Sequence, residues 1–494
     1  MERSSGILLH ITSLPGKYGI GTMGAEARHF VDFLVQSGQK LWQILPLGHT
    51  GYGDSPYQCF SAFAGNPLII DLDKLVEQGL LESGELPIDE EFPGHEVDYG
   101  KVFNYKYALL EKAYHRFQAD ADPKHVQSFK TFCTGNAWWL DDYALFMALK
   151  IHHGGKAWTR WDKQIKVRNE AAVQRYGEHL SSQVNYYRFL QFIFYLQWLE
   201  LKSYANINNI KIIGDIPLYV AFDSADAWAN PEIFDFDKKM NPQTVAGVPP
   251  DYFSETGQLW GNPIYNWNYL KEHGFKWWID RIKANFLLYD ILRIDHFRGL
   301  AAYWAVPYGE KTAVKGKWID APGKAMLKAV YDALGQKPII AENLGVITPD
   351  VEEMREEFGM PGMKILQFAF DSGEENEFIP HTYDTNSVVY TGTHDNNTTV
   401  GWFHGSSAQD RQHMHDYFCL DENDPAWSFI RLAWSTVSAI AIAPMQDILR
   451  LGEEARMNFP GKSPGYWKWR YTKEMLNEEH AADLLKFTKV YGRA

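Results

Sequence analysis

Residues 289–299 read YDILRIDHFRG. The stretch opens on apolar side chains, Ile291, Leu292 and Ile294, then turns abruptly polar at Asp295, His296 and Arg298, with Gly299 behind. A short apolar run that ends in charge has the pattern of a buried parallel strand delivering its C-terminal side chains into a cleft. In barrel enzymes that end of the strand carries the chemistry. Arg293 and Asp295 are two residues apart, so on a strand they face the same side. A guanidinium beside a carboxylate favours the ionised form, and a fixed, ionised carboxylate in a cleft is a candidate nucleophile.

Working outward, the same rhythm repeats. Residues 6–11 (GILLHI) form a first expected strand. Residues 26–37 carry Phe30, Phe33 and Leu34 at helical spacing and stop at Gly38. Residues 40–47 (KLWQILPL) are the second strand, and 210–220 (IKIIGDIPLYV) the third, with Asp215 in it and Pro217 stopping the ladder. The opening stretch is the fourth, after a helix over 275–285. Residues 337–341, 363–370, 386–391 and 440–444 are the fifth to eighth, separated by helical 324–334, 350–358 and 427–438. The tail, 467–494, ends helical and polar. Several strands finish in acids: Asp215, Asp295, Glu342, Asp395 and Asp447. Repeated βα units with polar strand ends predict an α/β fold, a (β/α)8 TIM barrel with its site on the C-terminal face.

Two long segments interrupt the repeats. Residues 48–67 (GHTGYGDSPYQCFSAFAGNP) form irregular backbone presenting rings, and 71–206 is largely helical, most clearly over 105–117, 138–149 and 183–205. The chain is therefore read as one catalytic barrel domain, 1–494, with a helical subdomain inserted at 52–206 between strands two and three. Residues 223–268 show neither a 3.6- nor a 2-residue period. They are read as an inserted lid loop over the cleft, holding Asp251, Glu255 and Trp260, with Gly257 and Gly261 as hinges.

Composition narrows the function. A barrel with insertions reaches 494 residues. A formal net charge of −14 argues against a nucleic-acid partner, which wants clustered Lys and Arg. Cys59, Cys133 and Cys419 lie far apart without a CxxC, as in a reduced cytoplasmic protein. The start, MERSSGILLH, lacks a signal peptide's apolar core. The most apolar helical stretch, 189–201, is broken by Gln191, Gln197 and Glu200, so no membrane partner is expected. No phosphate-loop or dinucleotide fingerprint is present, and the first strand offers His10-Ile11-Thr12 where a metal hydrolase wants two His in HxH spacing. No metal or organic cofactor is expected. Aromatic content is high at 15%, shared between core and possible stacking surface for sugar rings. The sequence carries no signal of oligomeric state.

If the barrel is right, Asp295, Glu342 and Asp395 converge on one cleft. Carboxyl pairs flanking a bond are the working parts of glycoside cleavage. One of them must hold a proton at neutral pH to release the leaving oxygen, and burial with neighbouring negative charge raises a carboxyl pKa. Glu342 follows an apolar strand, has no basic neighbour in sequence and would face two acids, which makes it the better general acid. Asp295, with Arg293 alongside, is the better nucleophile. Asp395 and His394 would grip ring hydroxyls. A carboxyl spacing of about 5–5.5 Å means retention and about 6.5–9.5 Å means inversion.

The motifs GDSPYQ (53–58), GDIPLYVA (214–221), PPDYFSETGQLWGNPIYNW (249–267), LRIDHFRG (292–299), AENLG (341–345) and GTHDNNT (392–398) span nearly the whole chain. Together they resemble the bacterial amylomaltases, 4-α-glucanotransferases allied to the α-amylase clan. The family commonly has Asp where this chain has Asn343. The resemblance implies a retaining transfer among maltooligosaccharides and α-glucans without metal or cofactor. It makes Asp295 the nucleophile, Glu342 the acid/base and Asp395 the transition-state stabiliser. It places Arg293, His394 and Asp215 at the reacting sugar, with Asn396 beside them. It puts Asp251 and Trp260 over the glucan, and Tyr57 and Ser55 of the SPYQ loop along the groove. A plain α-1,4-glucan hydrolase with the same carboxylates is the alternative. A non-catalytic carbohydrate-binding protein is a third reading, though it leaves the acids at the strand tips without a purpose.

Overall fold

Eight parallel strands form one sheet in the computed structural model, which describes residues 1–51, 53–86, 92–250, 254–373, 375–462 and 465–494. They are β1 (Ser4–Leu8), β2 (Leu41–Gln43), β3 (Lys211–Ile216), β4 (Ile291–Ile294), β5 (Ile339–Ala341), β6 (Gly362–Ile365), β7 (Ser387–Tyr390) and β8 (Ile440–Pro444). Their spatial order is β6-β7-β8-β1-β2-β3-β4-β5. The seam between β5 and β6 is closed by the Ala341 N–H on the Pro361 carbonyl (3.0 Å) and by the Met363 N–H on Asn343 Oδ1 (2.7 Å). Asn343 thus joins the two strands that the regular ladder leaves apart. Helices cover the outer face, which is why the strands read as short, nearly uninterrupted apolar runs.

The strands are shorter than their apolar runs suggest. β2 stops at Gln43, β3 at Ile216, and β6 gives way after Ile365 to a 3-10 turn, Leu366–Phe368. The apolar sequence continues past each end because the connecting loops are buried too: Leu45, Leu47, Leu218 and Val220 all lie in the core. Apolar character marks burial there, and the ladder ends where the chain bends away at Pro46 and Pro217.

Around the barrel run Ala25–Gln36, Lys276–Leu288, Gly323–Leu334, Pro349–Glu357, Pro425–Ser435 and Glu478–Val490. Glu478–Val490 packs on Ala25–Gln36 and closes the outer ring. Between β2 and β3 the chain builds Leu72–Glu77, Tyr99–Asp120, Pro123–His152, Lys163–Lys166, Glu170–His179 and Ser181–Ile207. The side chains of Asp98 and Asp122 cap the two long helices Tyr99–Asp120 and Pro123–His152, with Pro123 in the first turn of the second. Ser181–Ile207 packs along Pro123–His152 and also against β3 and Ala25–Gln36. The helical lobe therefore shares one hydrophobic cluster with the barrel.

Residues 223–268 differ from the irregular loop expected of them. They contain Thr244–Val248 and Gln258–Pro263, which join Ala302–Pro307 and Lys317–Asp320 in a second, antiparallel sheet of four strands. Its strand QLWGNP has no alternation, and its central pairing joins Thr244 to Pro307, far apart in sequence, so no local pattern announces it. Gly257 is a turn residue and not a free hinge. Its φ is 64°, and a Cβ there would lie 2.4 Å from the Val248 carbonyl oxygen. Asp251 lies outside the described residues. Among the described residues no helix is long and apolar enough to cross a membrane.

Candidate active site

The register of β3 on β4 sets Asp215 directly beside Arg293. Arg293 Nη1 reaches Asp215 Oδ2 at 2.5 Å, Nη2 reaches Asp295 Oδ1 at 3.0 Å, and Nε lies 3.4 Å from Met363 Sδ. The Tyr57 hydroxyl donates to the same Asp215 oxygen (2.8 Å). Burial works against the Arg293 charge, but Asp215 and Asp295 outweigh it and raise its pKa well above the ordinary value. One permanently charged guanidinium thus spans two carboxylates in geometry set by strand register.

Asp295 stands just past the end of β4, partly open to solvent. The chain then turns sharply, with His296 at φ 52°, a left-handed conformation that non-glycine residues rarely adopt. The turn aims the His296 N–H at Glu342 Oε2 (2.6 Å), while the Leu344 N–H holds Oε1 (2.9 Å). Glu342 is buried at the end of β5. Burial pushes it up to about 8. Arg293 opposes this, the Asp295 charge adds to it, and the two backbone N–H groups pull it down. Burial therefore favours the protonated carboxyl at Glu342, next to an Asp295–Arg293 ion pair. That is the pairing acid-assisted glycosidic cleavage needs.

The other wall comes from the loop after β7. His394 is buried, and the Asp395 side chain is 45% exposed. Asn458 Nδ2 donates to Asp395 Oδ1 (2.6 Å), Arg456 Nη2 donates to the Asp395 carbonyl (2.7 Å), and the Asn458 N–H donates to the His394 carbonyl (3.1 Å). His394 Nε2 lies 3.4 Å from Asp395 Oδ1. Tyr57 links the two walls. Its hydroxyl is on Asp215, and its ring stacks on His394 with centroids 5.2 Å apart and planes at 15°. Burial first and then Asp215 push the Tyr57 pKa upward, so it stays a phenol donor.

Trp260, from the second sheet, stands edge-on to His296, the residue after Asp295, at 4.7 Å. His296 itself is neutral, since burial lowers its pKa to about 4 against the pull of Asp295. Asp215, Arg293, Asp295, Tyr57, His394 and Asp395 are thus joined through direct contacts, and Glu342 is tied to them through the His296 N–H next to Asp295. Ser55 and Asn396 are placed differently. The Ser55 hydroxyl accepts the Tyr57 N–H (3.3 Å), and Asn396 Oδ1 accepts the Thr393 N–H and hydroxyl (2.9 and 2.8 Å). Both side-chain oxygens brace the loops that carry Tyr57 and Asp395. Sequence reading passed over Asn458, Arg456, Tyr219 and Trp467, whose ring leans on both Tyr57 and His394. The surroundings of Asn458, RMNFPG, carry no period or motif that singles it out. Among the described residues no group of three His, Cys, Asp or Glu could hold a metal ion.

Comparison with known proteins gives a consistent result. A family model described as 4-alpha-glucanotransferase matches residues 9–476. A 4-alpha-glucanotransferase of Synechocystis sp. is 52% identical, over 100% of this chain and 98% of that one. A 4-alpha-glucanotransferase of Thermus thermophilus is 48% identical, over 98% of each. Among solved structures, the amylomaltase from Streptococcus agalactiae in complex with acarbose superposes with a TM-score of 0.97 at 44% identity, covering 100% of both chains.

Proposed function

The chain belongs to the 4-alpha-glucanotransferase family, and from that premise we propose that it moves α-1,4-glucan segments between maltooligosaccharides by a retaining double displacement on Asp295. The observation that carries this reading is the raised Glu342 carboxyl beside the Asp295–Arg293 pair. In the first step an Asp295 oxygen attacks the anomeric carbon as the bond to the leaving oxygen breaks, and the Glu342 proton passes to that oxygen. Arg293 holds Oδ1, which leaves Oδ2 to attack. In the second step the Glu342 carboxylate takes the proton of an acceptor sugar hydroxyl. That oxygen bonds to the anomeric carbon, and Asp295 leaves.

Asp395 and His394 grip the ring of the reacting sugar, and Asp215, Arg293 and Tyr57 shape the floor beneath it. Transfer requires that water lose to a sugar hydroxyl. The helical lobe over 52–206, read as an insertion, and the segment 223–268 with Trp260 form the cover that favours the sugar. The same reading places the enzyme in the cytoplasm, on soluble glucans.

The test is incubation of the purified protein with maltotriose alone, without added metal, reading all oligosaccharides by mass. A ladder of longer maltodextrins with glucose or maltose is expected. Glucose and maltose without a ladder would move the assignment to the hydrolase. No reaction would remove the catalytic roles altogether.

A further inference from the structure

Asp447 lies just past the end of β8, in the short helix Met445–Ile448, and is completely buried. Its carboxylate meets three donors. Oδ2 accepts the hydroxyls of Thr391 and Thr399, each at 2.6 Å, and Oδ1 accepts the Thr399 N–H at 2.8 Å. Thr391 immediately follows β7, and Thr399 opens the helix Thr399–Gly405. The seven residues between them carry His394 and Asp395. Gln367, just past β6, adds Nε2 bonds to the Asn397 carbonyl (3.0 Å) and to the Thr399 hydroxyl (3.4 Å). Among the described residues no basic side chain forms an ion pair with Asp447, and burial is the first influence on its titration. An unpaired buried carboxylate is costly and persists only where its donors are complete.

We propose that Asp447 is a positioning residue for the transfer: its buried carboxylate pins both ends of the loop 392–398 to the end of β8 and so fixes the height and tilt of His394 and Asp395 over the reacting sugar. The inference rests on the reading of His394 and Asp395 as groups that touch that sugar. An amide cannot reproduce the site. With its oxygen toward the two hydroxyls, its NH2 faces the Thr399 N–H. With the amide reversed, both hydroxyls must accept, although Thr399 already accepts from Gln367. Either arrangement loosens one end of the loop and leaves the barrel core intact.

The experiment uses the full-length protein as Asp447→Asn, Thr391→Val, Thr391→Ser and Asp395→Asn, each assayed on maltotriose with thermal unfolding alongside. Asp447→Asn is expected to lower kcat per folded molecule roughly 10- to 100-fold, with KM within about twofold of the parent, as for a displaced catalytic group. Thr391→Val should show the same split to a smaller degree, and Thr391→Ser, which keeps the hydroxyl, should restore the parent kcat. A merely structural role would lower the folded fraction and leave kcat and KM per folded molecule unchanged. That result, or identical kinetics for the Val and Ser variants, would overturn the proposal. If Asp447→Asn does not fold, the Thr391 pair decides. If Asp395→Asn keeps full transfer, the underlying site reading fails. If Asp395→Asn is inactive while Asp447→Asn and Thr391→Val match the parent, only the positioning role fails.

Discussion

The two walls of the cleft are built on opposite plans. The wall of Asp215, Arg293, Asp295 and Glu342 stands on the ends of β3, β4 and β5, where register sets the geometry and burial sets the charge states. The wall of His394 and Asp395 hangs on a seven-residue loop after β7, held by Asn458, Arg456, Tyr57 and Asp447 from elsewhere in the chain. On the proposed mechanism the first changes protonation and forms a bond, and it sits in a buried floor whose geometry the strand register fixes. The second carries a carboxylate that is half exposed and aimed by hydrogen bonds from distant parts of the chain.

That contrast orders the expected losses. Glu342→Gln removes the proton donor of the strand-built wall and should lower transfer by about 10²- to 10⁴-fold, with binding of maltotriose nearly retained. An effect below tenfold would place the acid elsewhere. Asn458→Ala leaves Asp395 in place but unaimed. Loss of one bond to a charged group is worth about 1.5–3 kcal/mol, or roughly a ten- to hundredfold fall in kcat, and steady-state kinetics at saturating maltotriose would read it.

The pH response expected of the catalysis belongs to Glu342, on the strand-built wall. Glu342 keeps its proton in the folded protein up to about 8 but loses it in the unfolded chain near 4.5. The folded state therefore binds the extra proton between these values. Its contribution to stability is complete below about pH 4.5 and is lost as pH rises through about 8. Denaturant titrations across that window should show the parent losing stability relative to Glu342→Gln as pH rises, with Asn458→Ala tracking the parent. Activity should also fall as pH passes about 8, when the acid ionises. The smallest effect is expected at the cover. Trp260→Ala should raise glucose release relative to transfer a few-fold, roughly the worth of a small packing contact, with the disproportionation rate little changed. An unaltered ratio would remove Trp260 from water exclusion.

The same contrast explains what was legible in the sequence. LRIDHFRG and AENLG announce themselves because each apolar strand and its polar end are contiguous, so eight strand positions and the pair Asp295 and Glu342 follow from pattern. Asp395 was legible for the same reason, in GTHDNNT after β7. Its partner Asn458 was not, since a side-chain hydrogen bond across 63 positions leaves no periodic trace. Ser55 and Asn396 share motifs with Tyr57 and Asp395, and the hydrogen bonds by which their side-chain oxygens brace those loops follow from no sequence period. The antiparallel sheet that carries Trp260 was missed because its strands pair with 302–307, beyond the Asp295 motif. Strand ends were overrun wherever a buried loop extended the apolar run, as at Leu218 and Val220.

The most direct test of the central claim is covalent trapping. Glu342→Gln would be incubated with an α-maltosyl donor bearing a leaving group that needs no acid, then quenched and digested, with the peptide spanning β4 read by mass. A whole-number gain of anhydroglucose units on Asp295 is the result this account predicts, with rescue of turnover by a small added nucleophile. An unmodified Asp295 peptide, together with products of inverted anomeric configuration, would contradict it.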